Sequence, residues 1–184
     1  LPVLPLTKIP APRTDSVDSF SALLLILNMY GGIIAGNTAS YNGGGVYANG
    51  GQVVLYDGIV KDNTAAAHGG GIYVCASVDF EYGFIMYGGE ICNNYASYGG
   101  GYAVYNAGTG IMYDGYIHNN TTIQNSAGVL VYGNSSLIMN GGVISENTVT
   151  YHNNSNKGGG GLLNANYFLR HLLYSHKFAF HHLC

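Results

Sequence analysis

Aliphatic and polar positions alternate along most of this chain in runs of a few residues that stop at Gly or Asn. Such alternation predicts half-buried β-strands. A helical solenoid would need runs of about ten helix-favouring residues with 3.6 periodicity. Between Met29 and Asn147 glycines instead recur every few positions among β-branched and aromatic residues, so helix is excluded there.

The runs belong to one repeated phrase: an apolar residue, usually Tyr, Gly-Gly or Asp-Gly, a variable position, an aliphatic, two more positions and Asn. It starts at Met29, Leu55, Met86, Met112 and Met139 and ends at Asn37, Asn63, Asn94, Asn120 and Asn147. Successive Asn residues lie 26, 31, 26 and 27 positions apart, and a near-fixed period of this size marks a solenoid. A second phrase alternates with the first: Gly43-Gly44-Gly45-Val46-Tyr47, Gly69-Gly70-Gly71-Ile72-Tyr73, Gly99-Gly100-Gly101-Tyr102-Ala103, a degraded Ala127-Gly128-Val129-Leu130, and Gly158-Gly159-Gly160-Gly161-Leu162. One period thus holds about three short extended segments separated by corners, the content of one β-helix coil.

Five copies in one chain can be compared column by column. Ile34, Val60, Ile91, Ile117 and Ile144 never leave aliphatic, whereas the preceding column runs Ile33, Ile59, Glu90, Tyr116, Val143. Neighbouring strand residues face opposite sides, so the first column points inward and the second outward. The same test puts Met29, Leu55, Met86, Met112 and Met139 inside, and Tyr30, Tyr56, Tyr87, Tyr113 and Asn140 outside. Gly32, Gly58, Gly89, Gly115 and Gly142 fall where the chain must turn and suit positive φ. The Asn column also falls at a corner, where Asn tolerates the left-handed conformation and its amide can link neighbouring coils; an internal Asn ladder is expected.

The phrases GGxIxxN and GGGVY resemble the right-handed parallel β-helix repeats of bacterial surface proteins: adhesin-like proteins, autotransporter passengers and chlamydial polymorphic outer-membrane proteins. Ile34 and its equivalents stand where the chlamydial repeats carry Phe. The resemblance covers about residues 22–163 and implies an all-β, right-handed, single-stranded parallel β-helix of about five coils. Residues 1–21 then form an irregular N-terminal segment or cap, 22–165 the repeat domain, and 166–184 a C-terminal tail or cap. The glycine-free stretch Tyr167–Lys177 reads as a short amphipathic helix, or as a truncated or misread gene end. Uncapped coils would expose strand edges and invite end-to-end self-association.

Composition narrows the function. Charged residues make up 8% of the 184, and six basic against nine acidic residues give a net charge of −3, so no basic surface for nucleic acid is expected. The run Ala22–Leu27 is far shorter than the roughly 18 apolar residues of a membrane helix. Leu1–Phe20 carries four prolines and no charged lead into an apolar core, which suggests a fragment edge or linker end rather than a signal peptide. Three cysteines, Cys75, Cys92 and Cys184, cannot close a disulfide framework. Low charge with abundant Gly, Asn and Tyr fits an extracellular or cell-surface repeat protein.

Parallel β-helices include polysaccharide lyases and glycoside hydrolases, so an enzyme is the alternative. Lyases call for a basic residue and Ca²⁺-holding carboxylates, but Arg13 and Arg170 lie outside the coils, and Lys61 and Lys157 stand alone. Asp57 and Asp114 share a column two coils apart, near ~10 Å, the outer limit for a hydrolase pair; Asp-Gly as a plain turn dipeptide is the preferred reading. The insertion Ala76–Gly83 offers Asp79, Phe80, Glu81 and Tyr82 as first candidates for touching a glycan or cation. The column Tyr30, Tyr56, Tyr87, Tyr113 offers phenols for sugar stacking, against a self-packing ladder. Thr38, Thr64, Thr121 and Thr148 form an outward row broken by Tyr95, a weak ice-binding signal. His171, His176, His181, His182 and Cys184 give no compact ligand set, and His68, His118 and His152 look isolated. No metal, cofactor or catalytic residue is expected. The leading expectation is a structural and adhesive segment binding glycans or neighbouring surfaces.

Overall fold

The computed structural model describes residues 26–75, 80–150 and 159–165, and every helical or strand element among them is a β-strand. Coil one holds β1 (Ile26–Met29), β2 (Ile33–Ala35), β3 (Thr38–Ala39) and β4 (Val46–Asn49). Coil two holds β5 (Gln52–Leu55), β6 (Ile59–Lys61), β7 (Thr64–Ala65) and β8 (Ile72–Cys75). Coil three holds β9 (Phe84–Met86), β10 (Glu90–Cys92), β11 (Tyr95–Tyr98) and β12 (Tyr102–Tyr105). Coil four holds β13 (Thr109–Met112), β14 (Tyr116–His118), β15 (Thr121–Asn125) and β16 (Val129–Tyr132). Coil five holds β17 (Ser136–Met139), β18 (Val143–Ser145), β19 (Thr148–Val149) and β20 (Leu162–Ala165). Every strand pairs in parallel with the strand four places along, which builds four five-stranded sheets. Sheet 1 starts at β1, sheet 2 at β2, sheet 3 at β3 and sheet 4 at β4. The chain is therefore a parallel β-solenoid. The expected caps at 1–21 and 166–184 lie outside the described residues.

Each coil carries four strands where the phrases suggested three. The extra one is sheet 3, three of whose five members, β3, β7 and β19, are two residues long and too short to display an alternating pattern, while β11 and β15 have four and five residues.

Ile34, Val60, Ile91, Ile117 and Ile144 are successive register partners. The middle three are buried, while Ile34 and Ile144 in the outermost coils are half-buried. The neighbouring column faces out: Ile33 is 62% and Tyr116 53% exposed. Met29, Leu55, Met86 and Met112 stack in the core beside Val53, Phe84 and Leu137. Each such side chain contributes on the order of 1.5–3 kcal/mol.

The glycine between sheets 1 and 2 meets two demands. Gly58 and Gly115 have φ of 108° and 105°, and a Cβ would lie 2.6 Å from Met29 Cε at Gly58 and 2.5 Å from Met86 Cε at Gly115. The turn that packs the methionines leaves no room for a side chain.

The five Asn residues form a continuous ladder through the corner between sheets 2 and 3. Each Oδ1 after the first accepts both the backbone N–H and the side-chain Nδ2 of its counterpart one coil earlier. These bonds are 3.0 Å for Asn37 to Asn63 and for Asn63 to Asn94. They are 2.9 and 3.0 Å for Asn94 to Asn120, and 3.0 and 2.9 Å for Asn120 to Asn147. The other Nδ2 hydrogen reaches a backbone carbonyl of the preceding coil: Asn94 donates to Val60 O at 2.9 Å and Asn120 to Ile91 O at 2.9 Å. The left-handed corner residue is the one before the ladder Asn: Gly36, Asp62, Asn93, Asn119 and Glu146, with φ of 69°, 55°, 55°, 53° and 54°. The ladder Asn was expected at that conformation, but its amide must point inward, and its predecessor makes the turn that aims it.

Candidate functional site

The tyrosine column forms an outer ladder at the end of sheet 1. Ring centroids lie 4.6 Å apart for Tyr30 and Tyr56, 5.2 Å for Tyr56 and Tyr87, and 5.0 Å for Tyr87 and Tyr113, with interplanar angles of 6°, 12° and 4°. Near-parallel rings at this spacing cover one another's faces and leave edges and hydroxyls to water. Tyr56, between two neighbours, has its phenol pushed up, first by partial loss of water and then by Tyr30 and Tyr87. Ring faces are left uncovered by a further ring only at the two ends of the ladder: at Tyr30, which is 71% exposed, and at Tyr113, beyond which the column passes to Asn140.

The other sequence candidates are scattered. Asp57 Oδ1 accepts the Gly58 N–H at 2.7 Å and Asp114 Oδ1 the Gly115 N–H at 2.8 Å, the bonds of an Asp-Gly turn. Of the insertion, residues 76–79 and therefore Asp79 lie outside the described residues. Phe80 is half-buried, Glu81 exposed, and the Tyr82 carbonyl accepts from Gln52 Nε2 at 2.8 Å. The Tyr82 phenol is pushed up, first by its hydrogen bond to Glu81 and then by partial desolvation. The row Thr38, Thr64, Tyr95, Thr121, Thr148 does run in register across sheet 3.

A groove that the sequence reading missed lies on the outer face of sheet 4. Its floor belongs to a second apolar cluster, outside the main core, built on Tyr73, Ala103 and Leu130 with Leu163 packed against them. Its walls are His68, Tyr98, Asn125, Tyr105 and Tyr132, around a volume of about 480 Å³. That lies within the roughly 300–1,000 Å³ typical of small-ligand clefts. His68 bridges to Tyr98 at the corner between sheets 3 and 4, and Tyr98 pairs with Asn125. Tyr105 and Tyr132 come from the far ends of β12 and β16.

Tyr98 stacks on His68 at 5.1 Å and 24°, and Tyr47 on Tyr73 at 5.3 Å and 3°, but the contacts of Tyr105 are tilted where those of the outer ladder are parallel. Tyr105 makes 59° with His68 at 4.7 Å, 32° with Tyr73 at 5.4 Å and 35° with Tyr132 at 5.0 Å. Tilting leaves part of each π face uncovered. Asn42 Oδ1 accepts both the His68 backbone N–H at 3.2 Å and Nδ1–H at 3.0 Å, which leaves Nε2 as an acceptor. Burial pushes His68 below the usual imidazole range and so keeps it neutral at pH 7. Burial likewise raises the phenols of Tyr73 and Tyr105 well above the usual range, assisted by Cys75 beside Tyr73 and by Tyr73 beside Tyr105. The groove therefore presents the neutral Tyr105 hydroxyl, one ring acceptor and apolar ring faces.

His68 and His118 are not the isolated residues that the sequence suggested. His68 belongs to this groove, and His118 stands beside Glu90 and Cys92 on sheet 2. Both partnerships cross between coils. They are visible only once the coils are stacked, because the columns that hold them are not repeated in kind.

Compared with protein-family models, with curated proteins and with solved structures, the chain has no significant match. No helix among the described residues is long and apolar enough to cross a membrane.

Proposed function

We propose that this chain is a stiff β-helical segment of a secreted or cell-surface protein of the adhesin-like kind, and that it holds glycans in the groove on sheet 4. The observation that carries the reading is the set of tilted rings of Tyr105, Tyr132 and His68 around an apolar floor. A sugar has an apolar C–H face that packs on an aromatic ring and a rim of hydroxyls that pair with neutral donors and acceptors. Groove and sugar match in both respects. A charged ligand would find little here, since among the described residues no Lys, Arg, Asp or Glu lines the groove. The solenoid supports this role by fixing every wall residue on a hydrogen-bonded coil, so little order is lost on binding.

The test is a glycan array probed with the purified chain. Binding is expected to fall at least tenfold in Tyr105→Ala/Tyr132→Ala and to survive in Tyr56→Ala/Tyr87→Ala, whose faces are already covered. The opposite pattern would move the site to the outer ladder, and no binding by the unaltered chain would remove the proposal.

A further inference from the structure

Sheet 2 carries, on its outer face, a cluster that breaks the repeat. The column that includes Glu90 otherwise holds Ile33, Ile59, Tyr116 and Val143, and the column two residues on holds Ala35, Lys61, Cys92, His118 and Ser145. Glu90 and Cys92 are separated by the inward Ile91 and so share the outer face, and His118 is the register partner of Cys92 in the next coil. The strand register alone therefore brings a carboxylate, a thiol and an imidazole together.

Their donor atoms all lie within 4.8 Å of one another. His118 Nε2 is 3.5 Å and Cys92 Sγ 4.0 Å from Glu90 Oε2. Around a tetrahedral Zn²⁺, with ligands at about 2.0–2.3 Å, donor atoms stand roughly 3.3–3.7 Å apart, so small rotations of the Glu90 and Cys92 side chains would close the set. Cys92 is 5% exposed and forms the buried end. The His118 and Glu90 side chains, 25% and 43% exposed, leave the opposite side open to water. Asn119, fixed at a left-handed corner, places its amide nitrogen Nδ2 2.9 Å from His118 Nδ1. With that amide turned so that Oδ1 faces the ring, Nδ1–H donates and Nε2 keeps a lone pair toward the other two donors.

We propose that Glu90, Cys92 and His118 form a binding site for a borderline divalent cation, Zn²⁺ in the first place, with water in the fourth position and Asn119 orienting the imidazole. Mixed sulfur, nitrogen and oxygen donors select such a cation over Ca²⁺ or Mg²⁺, which take oxygen alone. The surrounding charges agree. Glu90 and Asp62 are acidic, and the neighbouring cation, Lys61, is drawn to Asp62 at 3.6 Å. The site links coils three and four from outside, as the Asn ladder does from within.

Cobalt reports directly on a thiolate ligand. The full chain, stripped of metal by chelation and titrated with Co²⁺, is expected to show sulfur-to-cobalt charge-transfer absorption that saturates at one equivalent and is bleached by one equivalent of Zn²⁺. Cys92→Ser should abolish the band. Glu90→Gln and His118→Gln should weaken Co²⁺ binding at least tenfold, and Asn119→Ala about tenfold. Cys75→Ser and Cys184→Ser should leave it intact. Far-ultraviolet circular dichroism checks that each variant folds, and the more exposed Glu90→Gln decides the matter if Cys92→Ser does not. No charge-transfer band in the unaltered chain, a band that survives Cys92→Ser, or one lost instead with Cys75 or Cys184, overturns the site.

Discussion

Asn94 shows how much one side chain can carry in this architecture. It is buried and makes four hydrogen bonds: two accepted from Asn63, one donated to Val60 O and one to Asn120 Oδ1. Asn94→Ala removes all four bonds; Asn120 Oδ1 keeps the Asn94 backbone N–H, but the buried Asn63 N–H and one Asn63 Nδ2 hydrogen lose their acceptor, and each orphaned buried group costs roughly 1–3 kcal/mol with partial relaxation. The expected loss in chemical denaturation is about 3–4 kcal/mol, against under about 1 kcal/mol for Asn37→Ala, because Asn37 is exposed and starts the ladder. Equal losses would mean that the ladder is not cooperative along the stack. The ladder was legible in the sequence because the five copies align with themselves and Asn never varies. What makes room for it was not. A Cβ on Gly45, Gly71, Gly101 or Gly128 would sit 2.9, 2.9, 2.8 or 2.9 Å from the Nδ2 of Asn63, Asn94, Asn120 or Asn147. The glycine just before the strand in the first four second phrases is thus fixed by an Asn of the following coil, a contact that no spacing within one phrase can reveal.

At the scale of strands, the packing of β12 against β13 is where the core departs from its own rule. The position held by Val46, Ile72, Val129 and Leu162 becomes Tyr102 in coil three. Tyr102 is fully buried, against Phe84 at 4.5 Å, and its hydroxyl has no hydrogen-bond partner among the described residues. Space for it comes from Gly110 across the core, where a Cβ would lie 2.8 Å from that oxygen. Tyr102→Phe is expected to stabilise the fold by about 1 kcal/mol, since it removes a desolvated hydroxyl and leaves the ring in place. Gly110→Ala should cost clearly more when Tyr102 is intact than when it is combined with Tyr102→Phe, a non-additivity that a double-mutant cycle in denaturant would read. Additive effects would show that the two residues do not touch. Sheets 1, 2 and 4 were readable from their alternating three- and four-residue strands. Sheet 3 was not, because a pair such as Thr64-Ala65 carries a single inward position, and the groove was missed because His68, Tyr98, Tyr105 and Tyr132 come from corners and strand ends whose columns change identity from coil to coil.

For the whole molecule, the register that stacks Ile34, Val60, Ile91, Ile117 and Ile144 is also what assembles the groove and the Glu90, Cys92, His118 cluster. A stack of this kind holds together by contacts between neighbouring coils, so stability should be graded along it. Val46 and Ile72 allow a controlled comparison. They occupy the same column, and their amides make the same bond, to Gly71 O and Gly101 O, at 2.9 Å each. Ile72 is buried between two coils, whereas Val46 belongs to the first coil and is half-buried. Loss of coil one alone exposes the Val46 amide, but exposing that of Ile72 also requires breaking β8 away from β12. Native-state hydrogen exchange should therefore show the Val46 amide exchanging at least ~100-fold faster than that of Ile72, with Tyr102 protected as well as Ile72 or better. Equal rates at Val46 and Ile72 would mean that the coils open as one unit, and the nearest-neighbour account of this solenoid's stability would fail.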